Sequence, residues 1–159
     1  MQAEQAAALR SLIGSQPIAA LATLHRGKPA VSMMPFALLP GGEGFVVHVS
    51  RLATHTADML ACPDVALLIV AGGAAVSSPR EWPRVSIQGQ AHRLAPESPA
   101  YAAARQRYLA RFAGSAEIFA FADFSLFAIA PQSARFVGGF ANATSILAAE
   151  LRSVLSQAA

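Results

Sequence analysis

The hydrophobic pattern divides the chain into short apolar runs of strand length, separated by turns that contain Gly or Pro. The run at 84–94 alternates apolar and polar residues, and the run at 65–71 is apolar throughout, as in a fully buried strand. The predicted strands are 18–25, 30–39, 45–50, 65–71, 84–94 and 124–136. The first three should form an antiparallel meander, in which Pro35 marks a sheet edge or a bulge because proline cannot donate to a ladder. Pro131 should interrupt the last strand.

Four segments have helical character. The Ala- and Leu-rich stretch 3–13 predicts a short helix, and Thr54 should cap a second helix that stops before Pro63. Ser98 and Pro99 should begin a third helix that extends to Phe112. Asn142 should cap a last helix with one apolar stripe, formed by Ile146, Leu147, Leu151, Val154 and Leu155. The pattern indicates a mainly β (α+β) fold, a small barrel of about six strands with peripheral helices in a single domain over residues 1–159.

The composition of the chain adds one expectation to the predicted fold, namely a partner subunit. The chain is 54% hydrophobic and only 13% charged, against a usual charged share of about 25%. A monomer of this size would leave much apolar surface in water, so we expect a homo-oligomer. The longest apolar run, 65–76, contains the Gly72-Gly73 pair and is too short to span a membrane. No signal peptide is visible, and we expect a cytoplasmic protein with no membrane association.

The charged residues favour a small anionic ligand over a nucleic acid. Eleven of the twelve basic residues are Arg, and they are scattered along the chain instead of forming a stripe. The segment Ser50-Arg51-Leu52-Ala53-Thr54-His55-Thr56 places hydroxyls, a guanidinium and free backbone N–H groups at a helix start, which suits a phosphate. An ordinary helix cap with a surface Arg is the alternative. The single Cys62 excludes an internal disulfide, and no metal-ligand spacing or Ser-His-Asp set is present.

Four segments carry a resemblance to a known family. They are Gly27 to Phe36 (GKPAVSMMPF), His48 to Thr56 (HVSRLATHT), Arg84 to Gly89 (RVSIQG) and Ala134 to Phe140 (ARFVGGF). In this order the chain resembles the pyridoxamine-phosphate-oxidase-related FMN-binding split β-barrels, and especially their HugZ-like haem-utilisation branch. The resemblance implies a six-stranded antiparallel split barrel that works as a homodimer, with FMN at the subunit interface.

The resemblance also implies which residues contact the flavin. Ser50, Arg51, Thr54 and His55 would hold the phosphate. Arg84 would meet the phosphate or the ring edge, and Gln88 is a looser polar contact. The isoalloxazine ring would lie along Ser32, Met33, Met34 and Pro35. Met33 and Met34 point to opposite strand faces, so at most one of them can face the ring. His48 is expected to be packed in the sheet, and His25 and His92 to be solvated.

The resemblance, together with the residues that depart from it, excludes one reaction of the family but does not identify the reaction of this protein. Ser32 stands where true pyridoxamine-phosphate oxidases have an FMN-binding Arg, and the basic C-terminal motif of those enzymes is missing. Vitamin B6 oxidation is therefore rejected. The favoured hypothesis is an FMN-dependent oxidoreductase that acts on an unknown small substrate. The alternatives are a HugZ-like haem-binding or haem-degrading protein and a non-enzymatic flavin-binding redox module. A deazaflavin is the alternative to FMN as the cofactor.

Overall fold

A computed structural model describes residues 1–71, 78–139 and 142–157. The Gly72-Gly73 pair of the longest apolar run and Phe140 of the fourth motif lie outside these residues. The strands are β1 (Ile18–His25), β2 (Lys28–Pro35), β3 (Ala37–Leu38), β4 (Phe45–Ser50), β5 (Asp64–Val70), β6 (Arg84–Arg93), β7 (Phe124–Val137) and β8 (Ala143–Leu147). The helices are α1 (Ala3–Ser15), α2 (Thr54–Ala61), α3 (Pro99–Arg111) and α4 (Ala148–Ser156).

One antiparallel sheet contains all eight strands of the described residues, so the predicted count of six was too low. The hydrogen-bonded order is β2-β1-β5-β6-β7-β4-β3, and β8 pairs with β7 outside this path. β2 and β3 lie at opposite ends of the order, yet only Phe36 separates them in the chain. The sheet must therefore curl until its two ends meet, which produces the barrel.

The predicted meander of the first three runs holds only for its first hairpin. β1 pairs with β2 along its whole length. β4, the third run, pairs with β3 and β7 at the other end of the sheet. The reason is the break at Phe36, which is fully buried and transfers the chain from one end of the sheet to the other. Pro35 ends β2 on a sheet edge, as the sequence predicted.

β7 is long because it pairs with three other strands. It pairs with β6, β4 and β8. Pro131 does not interrupt it, because β6 shifts register between Gln88 and Gly89 on the facing strand. Gly89 is required at this bulge, since a Cβ there would lie 2.5 Å from the carbonyl oxygen of Ala130.

The barrel interior is filled by large apolar side chains that alternate with outward residues along the strands. Phe36, Phe45, Phe127 and Phe136 are all fully buried there. A second cluster lies outside the barrel beneath α3, and it includes Tyr108 and Leu126. No helix in the described part of the chain has the length and hydrophobicity needed to cross a membrane.

Two helix starts differ from the prediction. Thr54 is the first residue of α2 and the cap position is Ala53, whose side chain cannot accept a hydrogen bond. Asn142 does not cap α4, because Ala143–Leu147 forms β8 along the free edge of β7 and the helix begins at Ala148. Leu147 is consequently 76% exposed, and only Leu151, Val154 and Leu155 of the stripe are buried helix residues. Ser98 does cap α3 and accepts from the Tyr101 amide, as predicted.

Candidate functional site

The segment from Ser50 to His55 joins the end of β4 to the start of α2. The side chains of Arg51 and Thr54 are exposed, and His55 is half-buried. Burial lowers the pKa of His55, and the nearby Asp58 carboxylate opposes that shift. His55 is therefore mainly neutral at pH 7 and offers no fixed positive charge to an anion.

Asp123, which the sequence did not single out, occupies the predicted phosphate cradle. The Ser50 hydroxyl donates to Asp123 Oδ2 at 2.6 Å. The Arg51 amide donates to the Asp123 carbonyl at 2.7 Å, and the Leu52 amide donates to Ser50 Oγ at 3.1 Å. Three donors expected for a phosphate are thus used within the protein, beside a carboxylate that repels anions. The assignment of these residues to a flavin phosphate stays a prediction, and as arranged they do not fit that group.

Arg84 and Gln88 lie on β6, and the hydrogen-bond partners of their side chains lie outside the segment from Ser50 to His55. The Arg84 guanidinium donates to the carbonyl oxygens of Arg80 and Trp82 at 3.3 and 3.1 Å. Gln88 Oε1 accepts from the Ser133 hydroxyl at 3.2 Å. Both side chains therefore have structural partners, and the roles predicted for them at a flavin remain untested.

The four predicted ring contacts on β2 divide between the two faces of the strand. Met33 is 63% exposed, whereas Met34 is 4% exposed and belongs to the barrel core. This confirms that at most one methionine is open to a planar ligand. Ser32 lies opposite Leu21 of β1, and its hydroxyl is buried with no hydrogen-bond partner among the described residues. Pro35 is half-buried at the end of the strand.

Met33 belongs to an apolar surface that we call the outer face, formed by outward side chains of β2, β1 and β5. Its large members are Ile18, Leu24, Val31, Met33 and Leu68, with exposed fractions between 38% and 72%. The strand registers place them side by side with the small outward residues Ala20, Ala22 and Ala66. Isolated exposed apolar residues are ordinary, but a continuous apolar surface of this kind marks a binding site.

A shallow cavity of about 410 Å³ opens at the hairpin end of the outer face. Its lining includes Leu24 and Pro29 of the first hairpin, Ala66 of β5 and Gln88 of β6. Gln88 is thus the one predicted site residue that also lines this cavity. Its lining combines apolar side chains with the polar residues Thr23, Asp64, Gln88 and Gln132, a mixture that sites for small molecules also have.

The side chain of His25 is 43% exposed, and it has a carboxylate partner that the prediction did not include. His25, expected to be solvated, has its Nδ1 2.8 Å from Asp58 Oδ1. The other carboxylate oxygen accepts from the Thr23 hydroxyl at 2.9 Å. This partner was not visible in the sequence, because Asp58 lies 33 residues from His25 and on a different element. His48, by contrast, is packed as predicted, stacked on Phe119 with 3.9 Å between ring centroids.

Comparisons with known proteins place the chain in a family. Residues 5–138 match the family model described as pyridoxamine 5'-phosphate oxidase. The chain is 35% identical over 119 residues to the chloroplast heme oxygenase HOZ of Arabidopsis thaliana, covering 75% of this chain and 35% of that protein. It therefore spans about a third of the length of this curated relative.

Solved structures give the same result at the level of the fold. A heme-binding protein from Mycobacterium smegmatis superposes with a TM-score of 0.85 and 30% identity, over 96% of this chain and 62% of that one. HutZ, described as the heme storage protein of Vibrio cholerae, superposes with a TM-score of 0.71 and 22% identity, over 78% of this chain and 87% of that one. By its matching family model and its curled antiparallel sheet, the chain belongs to the pyridoxamine 5'-phosphate oxidase family.

Proposed function

We propose that this protein binds haem at the outer face, where two copies of the chain pair, and that it is not a flavin-dependent oxidoreductase. The observation that carries the proposal is the outer face itself: five large apolar side chains on three adjacent strands stand exposed next to an open cavity. Haem is a broad, flat and largely apolar molecule, and such a surface is what its macrocycle requires.

The charges around the outer face also suit haem. Arg26 and Lys28 flank the turn between β1 and β2, and both are exposed. Haem carries two propionate groups, and exposed Arg and Lys side chains at the rim of an apolar site can pair with them. The names of HOZ and of the Mycobacterium smegmatis protein, both heme proteins, support the same ligand.

Flavin is the weaker candidate because of Asp123. A flavin phosphate at Ser50 would have to displace the 2.6 Å bond to the Asp123 carboxylate and accept that negative charge as a neighbour. The outer face needs no such rearrangement to receive an apolar ring. The FMN-dependent oxidoreductase and the flavin-binding redox module are therefore retained only as outcomes of the test.

A second copy of the chain is the natural cover for the rest of the outer face. The strands carrying it belong to one end of the sheet, and their outward side chains are apolar over neighbouring positions on all three strands. Pairing of two such faces would remove them from water and enclose a flat ligand between them. We therefore propose a homodimer with its ligand at the interface.

Titration with ferric haem tests the proposal, with absorbance as the readout and sedimentation to give the oligomeric state. We expect a shifted Soret band on a dimer. Met33→Glu, a charge placed on an exposed position of the outer face, should give a folded monomer with at least tenfold weaker haem binding. Leu60→Glu is the matched control, since Leu60 is 59% exposed on α2 outside that face. An unshifted Soret band would refute haem binding, and FMN uptake in its place would favour the oxidoreductase. Addition of a reductant and oxygen to the haem complex would then test degradation.

A further inference from the structure

Two arginines of α3, Arg107 and Arg111, lie four residues apart and therefore on the same face of that helix. Both side chains are half-buried. They line a cavity of about 270 Å³ between α3, the end of α1 and β3. The rest of its lining is Gly14, Ala37, Leu38 and Ala110. None of the strands of the outer face contributes to this lining, so the cavity is separate from the surface proposed for haem.

Contacts with the backbone hold both guanidinium groups in place. Arg107 Nε donates to the carbonyl oxygen of Leu38 at 3.3 Å. Arg111 Nη2 donates to three carbonyl oxygens at the end of α1, including that of Gly14 at 3.2 Å. The Arg111 guanidinium also lies over the ring of Phe36, 4.8 Å from its centroid. Both terminal nitrogens of Arg107, and Nε and Nη1 of Arg111, have no hydrogen-bond partner among the described residues and remain available as donors.

The positive charge at this cavity is not balanced by a carboxylate. The sequence of α3 contains three arginines and no acidic residue, and no acidic side chain of the described residues lines the cavity. Neither Arg107 nor Arg111 forms an ion pair within the described part of the chain. Burial lowers the pKa of Arg111, as expected for a cation that is removed from water without a counter-charge. Like charges four residues apart also destabilise a helix, so an anion held by both groups would offset two unfavourable terms.

We propose that Arg107 and Arg111 form a binding site for a phosphate group, either free phosphate or the phosphate of a small ester. A guanidinium presents a planar fork of N–H donors that matches the oxygens of such an anion. A phosphate group at neutral pH carries between about 1.5 and 2 negative charges, which balances two cations, whereas one carboxylate balances only one. The composition of the chain favours a small anionic ligand, and this cavity, unlike the segment at Ser50, has no carboxylate to repel it.

Calorimetric titration of the full chain with inorganic phosphate, at neutral pH and constant ionic strength, tests the proposal. Arg107→Gln removes one fork and leaves the contacts of Arg111 with α1, so phosphate affinity should fall by at least about tenfold. Arg105→Gln is the matched control: Arg105 is exposed on the same helix and does not line the cavity, so this variant should bind as wild type does. Ala110→Glu keeps both arginines but adds a carboxylate to the lining, and it should abolish phosphate binding. Circular dichroism verifies that each variant is folded.

The absence of saturable phosphate binding, or an unchanged affinity in Arg107→Gln, would overturn the proposal. An equal loss of affinity in Arg105→Gln would overturn it as well, because phosphate would then respond to the total charge of α3 and not to a site. Acetate that binds as tightly as phosphate would refute the preference for a dianion. Titration with phenyl phosphate distinguishes the two sources: tighter binding than that of inorganic phosphate assigns the site to an ester, and weaker binding assigns it to the free ion. Haem binding should be the same in Arg107→Gln as in wild type, so this proposal and the proposed function can fail separately.

Discussion

Acidification should destabilise this protein through His48, a buried histidine on β4 that has no ion pair within the described part of the chain. Its ring is stacked on Phe119, with Tyr108 and Phe124 at 5.7 and 5.1 Å between centroids. The Arg105 guanidinium lies over the same Phe119 ring at 5.1 Å. Burial lowers the pKa of His48 from 6.5 to about 4. The folded state therefore holds the neutral ring, while the unfolded chain can take up a proton.

The sign and size follow from proton linkage. Above pH 6.5 both states carry neutral His48, and the residue has no effect on the pH dependence. Between pH 6.5 and pH 4 only the unfolded state is protonated, so stability falls as the pH falls. With these two pKa values the free energy of unfolding at pH 5 is lower by about 2 kcal/mol than at pH 8. Burial also lowers the pKa of His55, which adds a loss of the same sign. Asp58 acts only at lower pH, because its pKa is lowered from 3.8.

Urea unfolding at pH 8 and pH 5 measures this loss. His48→Leu replaces the imidazole with an apolar side chain of similar size and so removes the titrating group. The difference between its free energies of unfolding at pH 8 and pH 5 should therefore be smaller than that of wild type by about 2 kcal/mol. His92→Leu, at an exposed position, should retain the full difference. If His48→Leu lost as much stability at pH 5 as wild type, the assignment of acid sensitivity to His48 would be refuted.

Two further predictions concern Asp123 and Ser98. Asp123→Asn removes the negative charge from the cradle and preserves an acceptor for Ser50, so its affinity for FMN should rise at least tenfold, as measured by flavin fluorescence; an unchanged affinity would show that the carboxylate is not what excludes the phosphate. Ser98→Ala removes the hydroxyl that accepts from the Tyr101 amide at 3.1 Å. It should lower the free energy of unfolding by about 1 kcal/mol, and a loss below a few tenths would contradict a capping role.

The local hydrophobic pattern predicted where the strands lie better than it predicted which strands pair with each other. The predicted runs 18–25 and 45–50 have the same bounds as β1 and β4. Apolar strand residues between Gly and Pro turns leave little freedom in where such a strand begins and ends. The pairing of β4 with β7 could not be predicted, since it depends on contacts between segments some 80 residues apart. The strand at Ala143–Leu147 was assigned to a helix because five residues fit either period, and only the free edge of β7 decides between them.

The candidate site shows the same limit at the level of side chains. The chemistry of Ser50 and His25 is visible in the sequence, but their partners are not. Asp123 is 73 residues from Ser50, and Asp58 is on another element from His25. The fold thus gives Ser50 and His25 carboxylate partners that no local pattern in the sequence indicates.

The dependence of three strands on β7 has a consequence for synthesis of the chain. The apolar strand Phe45–Ser50 leaves the ribosome long before Phe124–Val137, with which it pairs, so one of its edges has no native partner while the intervening residues are made. At about 5 to 20 residues per second this interval is roughly 4 to 17 s. An apolar strand with an open edge is prone to pair with other chains. The nascent protein should consequently depend on a holding chaperone until residue 137 has emerged.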